Sequence, residues 1–181
     1  MSDANIKSVS ISGISLDELV VSLPMPAHVK DYPSGKYILT NKENLKVYHF
    51  TNIAEMLGRN IHDLDEFMKP RWGEGFADSI DLLDETVAKT GNPFFSENRI
   101  FVAIDGILRI QNMTKIPVYS YDRSKKVIAI FTQSHDKTEN IDLLTLFNTY
   151  IQFYKRQGII SEYFCKFLKI ESFFRFLPTC A

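Results

Sequence analysis

The chain has 181 residues, a formal net charge of −1 and 45% hydrophobic residues, the composition of a globular protein with one sizeable core and room for extra helices. Its 21 Lys and Arg against 22 Asp and Glu leave no basic excess of the kind that marks a nucleic-acid-binding domain. The two cysteines, Cys165 and Cys180, have no metal-ligand spacing and fit a reducing compartment; with neither a basic-then-apolar leader nor an apolar run of about 18 residues, a cytoplasmic protein without membrane contact is expected.

Residues 1–26 are expected to form a polar arm followed by a short helix. Ser15 and Glu18 have the spacing of a capping box, Leu16, Leu19, Val20 and Leu23 form an apolar stripe, and Pro24 and Pro26 stop the helix. The run HVKDYPSGKYILTN (28–41) is a hairpin signal, because Pro33 presets one turn angle and Gly35 tolerates positive φ. Asn52 and Glu55 repeat the cap logic for a short helix ending at Gly58, and Asn60 with Asp63 opens another. Residues 68–73 (MKPRWG) are expected to be a breaker loop. Phe76, Ile80, Leu83 and Val87 recur at helical period over 74–89, and Gly91 and Pro93 end that helix. The carboxylates Asp78, Asp81, Asp84 and Glu85 are expected on its solvated side. Strands follow over 94–104, 107–119 and 126–134, the first two joined by the Asp105-Gly106 turn. Thr138 is expected to cap a helix over 139–157, closed by Gly158, with a second helix over 161–170.

In order and spacing, several of these pieces resemble a PAS (Per-Arnt-Sim) sensory domain: HVKDYPSGKYILTN, NIAEMLGRN, the long helix ending in KTGNP (89–93), the TKIP strand (114–117) and the DKT exit (136–138). The resemblance covers roughly three fifths of the chain. It implies an α+β fold, a five-stranded antiparallel sheet with helices on one face, often enclosing a ligand pocket. Residues 27–137 would be the sensory domain and 138–181 a helical linker or dimerisation segment.

Signals for catalysis are weak: there is no phosphate loop, no nucleophile elbow and no paired histidine motif on a helix. A non-enzymatic module is therefore expected. Flavin-binding photosensors of the PAS family carry a reactive Cys in an Asn-Cys-Arg motif before the long helix, and haem-binding members place a His on or near it. Here both cysteines lie in the tail and 74–89 holds no His, so neither haem nor covalent flavin is expected and any other ligand is left open. His62, near a helix start, fits a surface or capping role. Alternation over 107–119 places Ile110, Asn112, Thr114, Ile116 and Val118 on one face and Arg109, Gln111, Met113 and Lys115 on the other. The first set, the more apolar, is expected toward the helices. With Trp72, Phe76, Ile80 and Phe101 opposite, the candidate pocket comprises Trp72, Phe76, Ile80, Phe101, Ile110, Asn112 and Thr114.

The tail is too aromatic to face water alone: Phe164, Phe167, Phe173, Phe174 and Phe176 fall within thirteen residues. A homodimer through the flanking helices is expected. Leu177-Pro178-Thr179 resembles the opening of a LuxR-type helix-turn-helix domain, which implies a transcription regulator whose DNA-binding part lies outside this chain. A histidine kinase or cyclic-dinucleotide enzyme is the alternative output. A ligand-free interaction or dimerisation module remains the alternative to a ligand sensor.

Overall fold

The computed structural model describes residues 15–72, 75–102, 108–122, 124–156 and 158. The chain divides into two compact units, Met1–Lys137 and Thr138–Ala181. The element order is α1 (Leu16–Ser22), β1 (Ala27–Asp31), β2 (Tyr37–Thr40), α2 (Lys42–Val47), a 3-10 turn (Ile53–Glu55), α3 (Ile61–Trp72), α4 (Phe76–Thr90), β3 (Phe94–Val102), β4 (Leu108–Tyr119), β5 (Val127–Asp136), a second 3-10 turn (Thr138–Asn140) and α5 (Leu143–Arg156). Among the described residues no helix is long and apolar enough to cross a membrane.

Local chemistry sets most helix starts. The Glu18 N–H donates to Ser15 Oγ at 3.3 Å while the Ser15 N–H donates to Glu18 Oε2 at 2.9 Å, the reciprocal box its spacing predicts. Asn60 and Asp63 make the same exchange before α3. Residues 68–72 of the predicted breaker loop are instead the end of α3, which stays helical through Trp72, although Pro70 has no N–H to close the bond to the carbonyl four residues back. Helix α2 has no counterpart in the sequence reading. Its cap, Asn41, is only 2% exposed and makes four hydrogen bonds. Its Oδ1 accepts from the N–H groups of Asn44 (2.9 Å) and Ala27 (3.1 Å), and its Nδ2 donates to the carbonyls of Leu23 (3.1 Å) and Met25 (2.8 Å). It therefore ties the end of the first helix to the start of both β1 and α2. In the second unit Thr138 is not the helix cap. It opens the 3-10 turn, and α5 is capped by Asp142, whose Oδ1 accepts from the Thr145 N–H at 2.9 Å.

The five strands form one antiparallel sheet in the order β2-β1-β5-β4-β3. One face carries the larger core, with Tyr37, Leu45, Tyr48, Met56, Ile61, Leu64, Ala77 and Ile80 from β2 and the helical region 42–90. The other face is covered at one end by α1. Val20, 0% exposed, packs with Ala27, Val29, Ala129 and Phe131, flanked by Leu16 and Leu23. Three of the four residues of the α1 stripe are thus spent on its own sheet, and Leu19 is left exposed.

Candidate functional site

Alternation along the strands fixes which side chains face the helices. His28 and Lys30 on β1 lie opposite Thr132 and Ile130 on β5, and Lys115 and Met113 on β4 lie opposite Thr132 and Ser134. These residues share one face. A bulge adds one more. Ser96 pairs with Met113, but Arg99 pairs with Gln111, so β3 holds one residue too many. Asn98 takes the strain at φ +50°, and its N–H donates to Asn112 Oδ1 at 3.1 Å. The shift turns Arg99 toward the helices.

A cavity of about 60 Å³ lies between this face and the helices, lined by His28, Tyr37, Asn44, Tyr48, Phe76, Ile80, Arg99, Gln111, Met113, Lys115, Thr132 and Ser134 among others. Beside it is a buried ion triad. Asp84 on α4 accepts from Lys115 Nζ at 2.5 Å and Lys30 Nζ at 2.9 Å, and the two lysines are 1% and 2% exposed. Lys115 also reaches Thr132 Oγ1 at 3.4 Å. Burial works to raise the Asp84 carboxyl, but Lys115 and then Lys30 outweigh it and hold it below the usual carboxylate range. Burial pushes the Lys115 ammonium down to about 8, against the pull of Asp84. Burial, helped by Lys115 and Lys30, drives His28 down to about 3, so this imidazole is neutral at ordinary pH. The Tyr37 and Tyr48 hydroxyls are hydrogen-bonded to each other. Burial raises both phenols, Tyr48 to about 12, and both stay neutral donors.

Arg99 differs from the lysines. Among the described residues no carboxylate lies within ion-pair distance of it. Its Nη1 meets the Met113 sulfur at 3.1 Å, and its guanidinium lies 5.2 Å from the Phe76 ring centroid. A thioether is a weak acceptor, so most of the five guanidinium donors are unused by side chains. Desolvation lowers its pKa from the ordinary arginine value, yet it remains a cation.

The candidate pocket residues divide. Phe76 and Ile80 line the cavity as expected. Ile110, Asn112 and Thr114 have the opposite parity to Gln111, Met113 and Lys115, so the expected facing of β4 is reversed. Burial of polar side chains misled the pattern: Lys115 is inside because Asp84 neutralises it, and Asn112 faces away because it holds the bulge. The side chains of Trp72 and Phe101 lie outside the described residues, as do Cys165, Cys180 and the aromatic tail. The expectation that all four helix carboxylates are solvated fails for Asp84. Asp81 is half-exposed and accepts from His62 Nε2 at 2.8 Å. A second, wider cleft of about 490 Å³ on this side is lined by the β1–β2 turn, His62, Asp78, Asp81 and Glu85. Among the described residues no group of three His, Cys, Asp or Glu side chains is placed to hold a metal.

A five-stranded antiparallel sheet in the order 2-1-5-4-3, with a helical segment inserted between the second and third strands, is the PAS fold. No protein-family model matches the sequence, and no curated protein does. Solved structures do. The PAS domain of Bordetella pertussis BvgS aligns at TM-score 0.56 and 19% identity, over 77% of this chain and 94% of that one. VqmA of Vibrio cholerae, described with the LuxR-type receptors, aligns at TM-score 0.55 and 21% identity, over 69% of this chain and 51% of that one. An RNA-binding Light-Oxygen-Voltage receptor aligns at TM-score 0.52 and 16% identity, over 77% of this chain and 36% of that one. The matched region thus spans about half the length of VqmA. At these identities the likeness is one of fold.

Proposed function

We propose that the chain is a ligand-sensing regulatory module rather than an enzyme, and that it relays occupancy of its cavity through β5 to an output domain beyond the C-terminal helices. The observation that carries this reading is the cavity itself, where polar groups from β1, β3, β4, β5 and α2 converge on a space walled by Phe76 and Ile80. A cavity-lining strand, β5, ends one residue before the second unit, so a ligand that binds two arrangements of the strand with different affinity can bias that unit. A LuxR-type DNA-binding output is supported by Leu177-Pro178-Thr179 and by the likeness to VqmA, which has been described bound to a ligand and DNA. Helix α5, with Leu143 and Leu144 exposed, is the proposed homodimer surface, and the cytoplasm is the proposed compartment. A ligand-free interaction module is the second reading, favoured by the small size of the cavity.

The test is to purify the full chain from cells and measure retained small molecules by native mass spectrometry, followed by a thermal-shift screen. Ile80→Trp, which fills the cavity, is the control. A compound that raises the melting temperature of wild type but not of the filled variant supports the sensor. Identical responses from both, with no retained compound, would sink it.

A further inference from the structure

Resting on that reading, we propose that the cavity's ligand is a compact organic anion, of the small-carboxylate class, held by the guanidinium of Arg99. The charge count around the cavity points there. Lys115 and Lys30 are both met by Asp84, and Lys30 also lies 3.9 Å from Asp81. The two lysines therefore share two carboxylates. Among the described residues Arg99 has no carboxylate within ion-pair distance, although a bulge in β3, pinned by Asn112, is spent on turning it inward. Its neighbours inside are a sulfur and an aromatic ring, which position the planar group and engage one Nη1 donor with a weak acceptor. A carboxylate matches that fork with two parallel hydrogen bonds.

The other lining groups fit the same occupant. Thr132, Ser134 and Gln111 offer neutral donors around the space. Lys115 and Arg99 both line the space, and an anion between them is attracted to both. His28, neutral here, adds no competing charge. A cationic ligand would meet two cations and, among the described lining residues, no carboxylate. Size sets the remaining limit. A volume near 60 Å³ admits only a few heavy atoms, since a cavity of about 150 Å³ holds a benzene ring.

Sodium propionate and propionamide, titrated into the full chain at matched ionic strength and followed by heteronuclear NMR, separate the alternatives. They share shape and differ in charge. Propionate is expected to shift resonances of the cavity residues and to bind roughly tenfold or more tighter than the amide, as loss of one charge-assisted contact implies. Arg99→Met should bring propionate down to the amide's affinity, while Arg99→Lys restores part of the difference. Melting curves of both variants verify folding. Equal or stronger binding of propionamide overturns the anion assignment and leaves the sensor reading standing. Absence of any propionate-induced shift also overturns it, and the sensor reading then rests on the outcome of the cavity-filling comparison. Propionate binding that survives Arg99→Met in a folded protein assigns the anion to a different group and overturns the role of Arg99.

Discussion

Asp84→Asn is the most informative single change in this molecule. The substitution keeps the volume and removes the one carboxylate that touches both buried ammonium groups, at 2.9 and 2.5 Å. Breaking a buried ion pair in this way costs about 3–5 kcal/mol. Lys115 can escape part of the loss by releasing a proton, at about 1.4 kcal/mol for each pH unit between the working pH and the pKa. Lys115 stands near 8 even with Asp84 present, so at pH 7 its further loss is limited to about 1.4 kcal/mol. Most of the effect falls on Lys30, which stays 2% exposed with only the half-exposed Asp81, 3.9 Å away, left to meet its charge. The expected total, about 3–5 kcal/mol, is a large share of the roughly 5–15 kcal/mol that holds a domain folded. The sign with pH follows. Lys115 has a folded pKa below its ordinary value of 10.5. Between about 8 and 10.5 the unfolded chain holds a proton that the folded chain has released, so wild-type stability gains from Lys115 as pH rises through that window. Above pH 8 the Lys115–Asp84 attraction fades in wild type as well. The gap between wild type and variant should therefore be larger at pH 6 than at pH 9.5. Urea denaturation at the two pH values measures it. A gap under about 0.5 kcal/mol at both, the range of ordinary surface substitutions, would mean that Asp84 lies in solvent and would refute the triad.

The remaining predictions concern single contacts. Asn41→Ala removes four buried hydrogen bonds and a helix cap, and should cost about 2–4 kcal/mol in chemical denaturation. Asn112→Ala frees the Asn98 N–H and should cost about 1 kcal/mol, with amide-exchange protection lost first around 96–99. His28 should stay neutral from pH 8 to pH 5, its ring resonances flat in an NMR titration and moving only toward its pKa of about 3. Replacing the triad whole, with Lys30→Met, Asp84→Leu and Lys115→Met together, should recover most of the stability that Asp84→Asn loses, because no charge of the triad is left without a partner.

The fold was legible in the sequence because its punctuation is local. The Ser15–Glu18 box, the Asn60–Asp63 exchange and the period of Phe76, Ile80 and Val87 each act within a few residues. Gly91 ends α4 at φ +66°, with the Tyr119 hydroxyl donating to its carbonyl at 2.6 Å. The site was not legible for the same reason. Its parts are Lys30, Asp84, Arg99 and Lys115, and nothing local ties them together. Alternation on β4 gives two sets of side chains but not which set is inside, since α1 packs against the sheet's other face and both faces reward apolar residues. A lysine on the inner face runs against the usual placement of charge. One clue was present: Ala77, Ile80, Asp84 and Val87, the residues α4 buries, follow a 3-4-3 spacing. An aspartate inside an apolar stripe requires a buried cation. Arg99 left no such mark, because its inward turn depends on an extra residue at Asn98 that strict alternation cannot anticipate.

The strand order carries a consequence for how the protein is made. The last of the five strands to leave the ribosome, β5, is the middle of the sheet, between β1 and β4. Until it arrives, the nascent chain holds two separate hairpins, β1–β2 and β3–β4, each with an edge waiting for the same absent strand. Roughly 100 residues separate β1 from β5, which at about 5–20 residues per second keeps the β1 edge open for about 5–20 s, whereas the β4 edge waits only about a second for the turn that follows it. Open edges recruit other strands. Successful synthesis therefore depends on the hairpins being held apart, from each other and from neighbouring chains, until Val127–Asp136 emerges and closes the sheet in one step.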